Sequence, residues 1–226
     1  MNHSEQTWYQ SLIIRYGLSA NALKWIAIMT MLFGHIYQKF TLPSPQKFTI
    51  LFFYLAHLTP PIMCYFITEG FRYTRSRKKY ALRMLSFALI SQIPFTFVTR
   101  GVLLQFGTLN VIFTLLLGFC ALWVIRSELE VWAKIALTLL CASASLLCDW
   151  TIFPMLWILA FGLNTGSFKR QAIWFAFVTL VVYGSYQIYH GYYLFRAPIA
   201  ILCALPLLAL YNGKKAGEST PAWLCN

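Results

Sequence analysis

The stretch Lys24-Trp25-Ile26-Ala27-Ile28-Met29-Thr30-Met31-Leu32-Phe33-Gly34-His35-Ile36 decides how this chain is read. Apart from one ammonium and one imidazole it is almost entirely apolar. It lies in a run, about 22–40, of the length a helix needs to cross the roughly 30 Å hydrocarbon core of a bilayer. Ionisable groups are costly in hydrocarbon, and those that persist there usually face a bundle interior and serve chemistry or transport. Lys24 and His35 are eleven residues apart. Eleven steps of about 100° return nearly to the starting azimuth, so both sit on one face, about 16 Å apart along the axis. The stretch predicts a membrane-embedded site.

Working outward, 59% of the 226 residues are hydrophobic, 18% aromatic and only 11% charged, with a mean hydropathy of +0.64. A water-soluble domain of this size cannot hide so much apolar surface. Apolar stretches recur along the chain, and eight spans are predicted, at about 22–40, 48–70, 80–99, 103–125, 132–148, 151–163, 171–189 and 193–211. The expected fold is all-α, a polytopic transmembrane helix bundle. Residues 1–21 form an N-terminal cytoplasmic or interfacial segment, 22–211 the membrane domain and 212–226 a cytoplasmic tail. The first twenty residues lack the pattern of a secretory signal, and residues 8–18 suit a short amphipathic helix at the interface. The sixth span is short and holds Pro154, which predicts a tilted or partly re-entrant segment.

The net charge of +12 comes from 18 Lys and Arg against 6 Asp and Glu. In a soluble protein that balance suggests nucleic acid, but here no soluble basic face exists to bind it. The excess of basic residues in cytoplasmic loops explains it instead. With the N-terminus inside, fourteen of the 18 basic residues flank the inner side, and only Lys39, Lys47, Arg100 and Arg196 flank the outer. An even number of spans then places both termini in the cytoplasm. The six cysteines are scattered, with no C-x-x-C pair and no histidine at ligand spacing, so neither a disulfide framework nor a metal site is expected.

The segment from Glu69 to Arg83 carries the densest charge signal: Arg72, Arg75, Arg77, Lys78, Lys79 and Arg83 gather where the second span meets the third. One reading is an orientation signal with affinity for anionic lipid. The other is a clamp for a phosphorylated cytoplasmic ligand such as coenzyme A, since guanidinium forks bind phosphate bidentately and lysines add point charges. Glu69, near the membrane boundary, either pairs with Arg72 or orients His35 and accepts a proton. Asp149, followed by Trp150 at an outer junction, is either a solvated interfacial carboxylate or, beside a re-entrant sixth span, a group that meets an acceptor amine. His35 suits a general base or an acyl-carrying nucleophile, and equally a packed histidine donating to a neighbouring helix. His57, close to Pro60 and Pro61, reads as structural, and Asn110 and Gln92 read as polar packing groups.

Several of these segments match one family in order. Leu23-Lys24-Trp25-Ile26-Ala27 through Gly34-His35-Ile36, Glu69-Gly70-Phe71 through Lys79-Tyr80, Leu109-Asn110 through Phe113-Thr114, Cys148-Asp149-Trp150 and Tyr211-Asn212-Gly213-Lys214-Lys215 together resemble the TraX family over about residues 22–217. That family includes a pilin acetylase and proteins called fimbrial assembly proteins. The resemblance implies an inner-membrane, multi-pass bacterial enzyme that acetylates the N-terminal amine of a pilin subunit with acetyl-CoA as donor and no metal. More distantly, the basic-x10-His spacing and the R-x-x-R motif are similar to the membrane acyltransferase-3 superfamily. Carried over, His35 takes the catalytic place, Lys24 that of its basic partner, and Arg72 with Arg75 the cofactor side. The chain departs from these patterns at Gly34, where many TraX-like chains have Asp, and at Lys24, where the acyltransferase-3 pattern has arginine. Acyl transfer to a sugar or lipid hydroxyl, and a non-enzymatic transporter or pilus-assembly partner, are the alternatives.

Overall fold

The computed structural model describes residues 17–40, 46–103, 107–191 and 196–213, and these are helical with no strand. Eight helices follow in order among them: α1 (Ala20–Phe40), α2 (Gln46–Tyr73), α3 (Arg77–Arg100), α4 (Val111–Ile125), α5 (Val131–Ser145), α6 (Phe153–Leu163), α7 (Phe168–Tyr189) and α8 (Arg196–Ala209). Each overlaps one of the eight spans expected from hydropathy. The interfacial helix expected at 8–18 lies almost wholly outside the described residues.

Among the described residues, the Ile50–Tyr73 part of α2, α3 and α7 are long and apolar enough to cross a membrane, which fits a membrane protein. The 21-residue α1 is comparable in length, but Asn21, Lys24 and His35 dilute its apolar character. Helices α4 and α5 have 15 residues and α6 has 11. At 1.5 Å per residue they reach about 22 Å and 16 Å, short of the bilayer core. The fourth helix begins eight residues later than expected for a local reason. Gly101 closes α3 in the left-handed region, φ 73°, and Asn110 caps α4 by accepting from the amide of Ile112.

The chain divides into two compact units, residues 1–62 with 199–226, and residues 63–198, the division falling within α2 and α8. In the first unit α1 runs antiparallel to the start of α2. Leu23, Ala27, Thr30 and Gly34, spaced three or four apart, are buried along one stripe of α1. The Thr30 and Thr59 hydroxyls pair at 2.8 Å, and Thr59 donates to the Ala27 carbonyl at 3.0 Å. Gly34 meets Ala56 so closely that a β-carbon at position 34 would lie 2.7 Å from that of Ala56. Small residues and threonine hydroxyls are what close helix contacts inside a membrane use. Leu18 also donates to Leu210 at 2.7 Å and accepts from Asn212 at 3.0 Å. The entry to α1 and the exit of α8 therefore lie side by side.

In the second unit α4 packs against α3, α5 and α6. The α4–α6 contact is the tightest, with Gly118 under Met155 and Ile158 and Gly162 under Leu122. Trp157, Phe161, Phe119 and Phe175 are fully buried in this core. A π-helical turn, Val178–Tyr183, swings Tyr183 against Phe153 and Trp157. The outward faces are the reverse of a soluble protein: Ile90 is 67% exposed and Trp132 74%, the pattern of a surface solvated by lipid.

Candidate functional site

The basic segment folds into a tight helix–turn–helix. Thr74 returns a backbone bond to Gly70, and the Ser76 hydroxyl caps α3 by accepting from the Lys79 amide at 3.3 Å. Three residues of connection thus leave Arg72 in the last turn of α2 and Arg77 in the first turn of α3. Aromatic packing fixes this corner: Tyr80 stacks on Phe119 at 5.0 Å, and Phe71 meets the same ring edge-on at 5.4 Å. No acidic residue occupies the first turn of α3. Arg77, Lys78 and Lys79 instead oppose the positive end of the helix dipole, at a cost of a few tenths of a kcal/mol each. An anion bound at this end relieves that opposition.

A cavity of about 290 Å³ opens here, lined by Thr68, Phe71, Arg72, Arg77, Leu122, Arg126, Gly162 and Thr165. Three exposed arginines, from the end of α2, the start of α3 and just past the end of α4, therefore line one cavity. Arg77 lies over the Phe71 ring at 4.3 Å, and Arg72 over Tyr73 at 5.1 Å. Arg126, just past the end of α4, donates to the carbonyls of Gly162 and Leu163 at 3.1 and 3.2 Å, satisfying carbonyls that the end of α6 leaves without intrahelical donors. Arg75, Lys78, Lys79 and Arg83 are exposed on the same corner but do not line the cavity. Glu69 is half-buried one turn before Arg72, the charge that acts on its carboxylate.

Arg126, Thr68 and Thr165 were absent from the residues picked out by sequence. Arg126 counted there only toward orientation. The only signal for it in the sequence is one arginine ending a 15-residue apolar helix.

Asp149 sits at the other end of the same unit. Its amide donates to the Leu109 carbonyl at 2.7 Å, its carbonyl accepts from Thr114 at 2.8 Å, and its carboxylate accepts from the Trp150 amide at 3.1 Å. The two following residues, Trp150 and Thr151, have φ of 62° and 49°, a strained turn for a β-branched residue. Next to it, burial pushes the Cys148 thiol above its ordinary range, opposed by Thr114. Beside this turn, Gln92 and Asn110 form a buried polar hub. Asn110 donates to Ala88 at 2.7 Å and to Gln92 at 3.0 Å through its side chain, and Gln92 donates to Thr108 at 2.9 Å. The packing role expected of these two residues is the one they have. Along α4, Thr114, which holds Asp149, is eight residues from Leu122 and twelve from Arg126 of the arginine cavity, about 12 to 18 Å.

Lys24 and His35 belong to the first unit, both half-buried on α1. Each directly follows a residue of the α1–α2 seam, Leu23 and Gly34, so the shared face inferred from their spacing runs along the flank of that seam. His57 bonds through Nδ1 to the Phe53 carbonyl of its own helix at 2.7 Å, which assigns the proton to Nδ1.

The comparisons cover both regions. The model of the TraX protein family matches residues 19–223. This chain belongs to the TraX family. A relative 34% identical over 212 residues, spanning 88% of this chain and 86% of its own length, is the probable fimbrial assembly protein FimC, serogroup H1, of Dichelobacter nodosus. No solved structure matches. The TraX match takes in the helix bearing Lys24 and His35 and all three cavity arginines. At Gly34 the contact with Ala56 leaves no room for a side chain.

Proposed function

We propose that this chain is a multi-pass inner-membrane acetyltransferase, with both termini cytoplasmic, that acts in pilus or fimbrial assembly. It moves an acetyl group from acetyl-CoA to the N-terminal amine of a pilin subunit. The observation that carries this reading is that Arg72, Arg77 and Arg126 line one cavity at the basic corner, in a chain of the TraX family; the excess of basic residues there favours a cytoplasmic side. Guanidinium forks in that number suit the phosphates of coenzyme A, and the relative's name adds the fimbrial setting.

In the reaction the amine nitrogen attacks the thioester carbonyl, an N–C bond forms, the C–S bond breaks, and coenzyme A leaves as its thiol. His35 acts as general base, taking the proton that the attacking amine gives up and passing it to the departing sulfur. Lys24, on the same helix face about 16 Å from His35, adds positive charge that favours an anionic donor on that side of the bundle. Glu69 and Asp149 are second carboxylates, for proton transfer and for reception of the amine. The acceptor reaches the bundle from the membrane or its outer side and the donor from the cytoplasm.

The test is to incubate the purified full chain in detergent with acetyl-CoA and a pilin N-terminal peptide, and to map any acetyl group by mass spectrometry. Acetylation of the terminal amine supports the reading. Acetylation of an added sugar or lipid hydroxyl instead moves the acceptor class to O-acylation. Absence of both transfer and acetyl-CoA hydrolysis leaves a non-enzymatic role in assembly.

A further inference from the structure

The arginine cavity has a property the acetyl-CoA reading does not itself supply. At about 290 Å³ it lies at the lower limit of pockets for drug-sized ligands, and coenzyme A is larger than those. Only one end of such a donor fits. That end meets three guanidiniums, from the end of α2, the start of α3 and the end of α4. A phosphate monoester concentrates nearly two charges and three terminal oxygens on one group, whereas each phosphorus of a pyrophosphate linker carries a single charge and is bonded onward on both sides. Three forks lining one cavity match the terminal group better than the linker.

Arg126 differs from its two companions in how it is held. Arg72 and Arg77 rest on aromatic rings. Arg126 is anchored by one terminal nitrogen to the Gly162 and Leu163 carbonyls. A guanidinium has five N–H donors, so the anchored fork keeps donors for an anion while its position is set in advance. Pre-organisation of that kind raises selectivity, because little side-chain entropy is lost on binding. Leu122, Gly162 and Phe71 add apolar wall to the cavity, and Arg72, Arg77 and Arg126 line its solvent-exposed side.

We infer that this cavity is a phosphomonoester subsite and that Arg126 is its specificity-determining residue, reading the 3′-phosphate of the coenzyme A donor. The identity of the donor rests on the acetyltransferase reading; the preference for a terminal phosphate does not.

The experiment measures binding rather than turnover. The full chain in detergent is titrated with coenzyme A and with 3′-dephospho-coenzyme A, in the wild type and in Arg126→Gln and Arg126→Lys. The wild type is expected to bind coenzyme A at least tenfold more tightly than the dephospho form. Arg126→Gln is expected to bring the two ligands within threefold of each other, with dephospho-coenzyme A affinity nearly unchanged and the thermal midpoint lowered by the loss of the Gly162 and Leu163 bonds, and Arg126→Lys to fall between. A wild type that binds both ligands equally, or an Arg126→Gln variant that keeps the full preference, overturns the inference. So does a general loss of both affinities and of the thermal midpoint in Arg126→Gln when Arg126→Lys keeps the full preference, since a purely structural role is then enough. Phosphatidate in nanodiscs is the competing arm: if it fills the cavity and coenzyme A does not displace it, the monoester belongs to a lipid and the donor assignment fails. Loss of acetyl transfer with the 3′-phosphate preference intact counts against the acetyltransferase reading alone.

Discussion

On the proposed function, Arg72 and Arg77 bind the donor through charge-assisted hydrogen bonds, each worth about 1.5–3 kcal/mol. In Arg72→Gln with Arg77→Gln the KM for acetyl-CoA should rise at least tenfold with kcat little changed, because the lost contacts are made equally in the ground and transition states. Steady-state kinetics over a range of acetyl-CoA decides it, and an unchanged KM reduces the pair to an orientation signal. Gly34 supports a different prediction. Its missing β-carbon is filled by Ala56, so Gly34→Ala should lower stability by about 1–3 kcal/mol through overpacking, seen as a lower thermal midpoint in detergent; an unchanged midpoint contradicts the close contact. At this scale the sequence was informative where a residue type is costly. Lys24, His35 and the Arg72 corner stand out because charge is rare in an apolar chain. Arg126 did not, because its partners, the Gly162 and Leu163 carbonyls, come from a helix 36 and 37 residues away.

Helices are where hydropathy reads best. All eight elements lie where apolar runs predict them, since each run is bounded by turn chemistry such as Gly101, Ser76 or Ser167. The start of α4 at Val111 is set by the Asn110 cap and by the bonds that Asn110 gives to Gln92 on α3, neither of which hydropathy registers. Removing that hub has a definite cost. Asn110→Ala takes away the donor to the Ala88 carbonyl and the α4 cap, and buried groups left unpaired cost about 1–3 kcal/mol each. Hydrogen exchange should therefore speed up in the segment 107–111 and the facing turn of α3. Exchange equal to wild type there removes the hub from the account.

For the molecule as a whole, charge asymmetry and the pairing of Leu18 with Leu210 and Asn212 argue for both ends of the helical region on one side of the membrane. Within the second unit the Ser76 and Thr165 turns lie toward the basic end and Gly107 toward the other. A membrane-impermeant thiol reagent applied to right-side-out vesicles should then label Gly107→Cys and spare Ser76→Cys and Thr165→Cys, in a background whose native cysteines are replaced. Labelling of all three to the same extent contradicts the orientation. What hydropathy could not deliver at this scale is the number of crossings, since α4, α5 and α6 are too short for the bilayer core and helix length is decided by caps and packing.

The central claim is His35-dependent acetyl transfer from acetyl-CoA. Its most direct measurement follows radiolabel from [acetyl-14C]acetyl-CoA to a pilin N-terminal peptide with purified wild type and His35→Ala, after showing that both insert into membranes equally. The account predicts labelled peptide from the wild type and none above background from His35→Ala. Equal labelling by both proteins, or none by either, contradicts it.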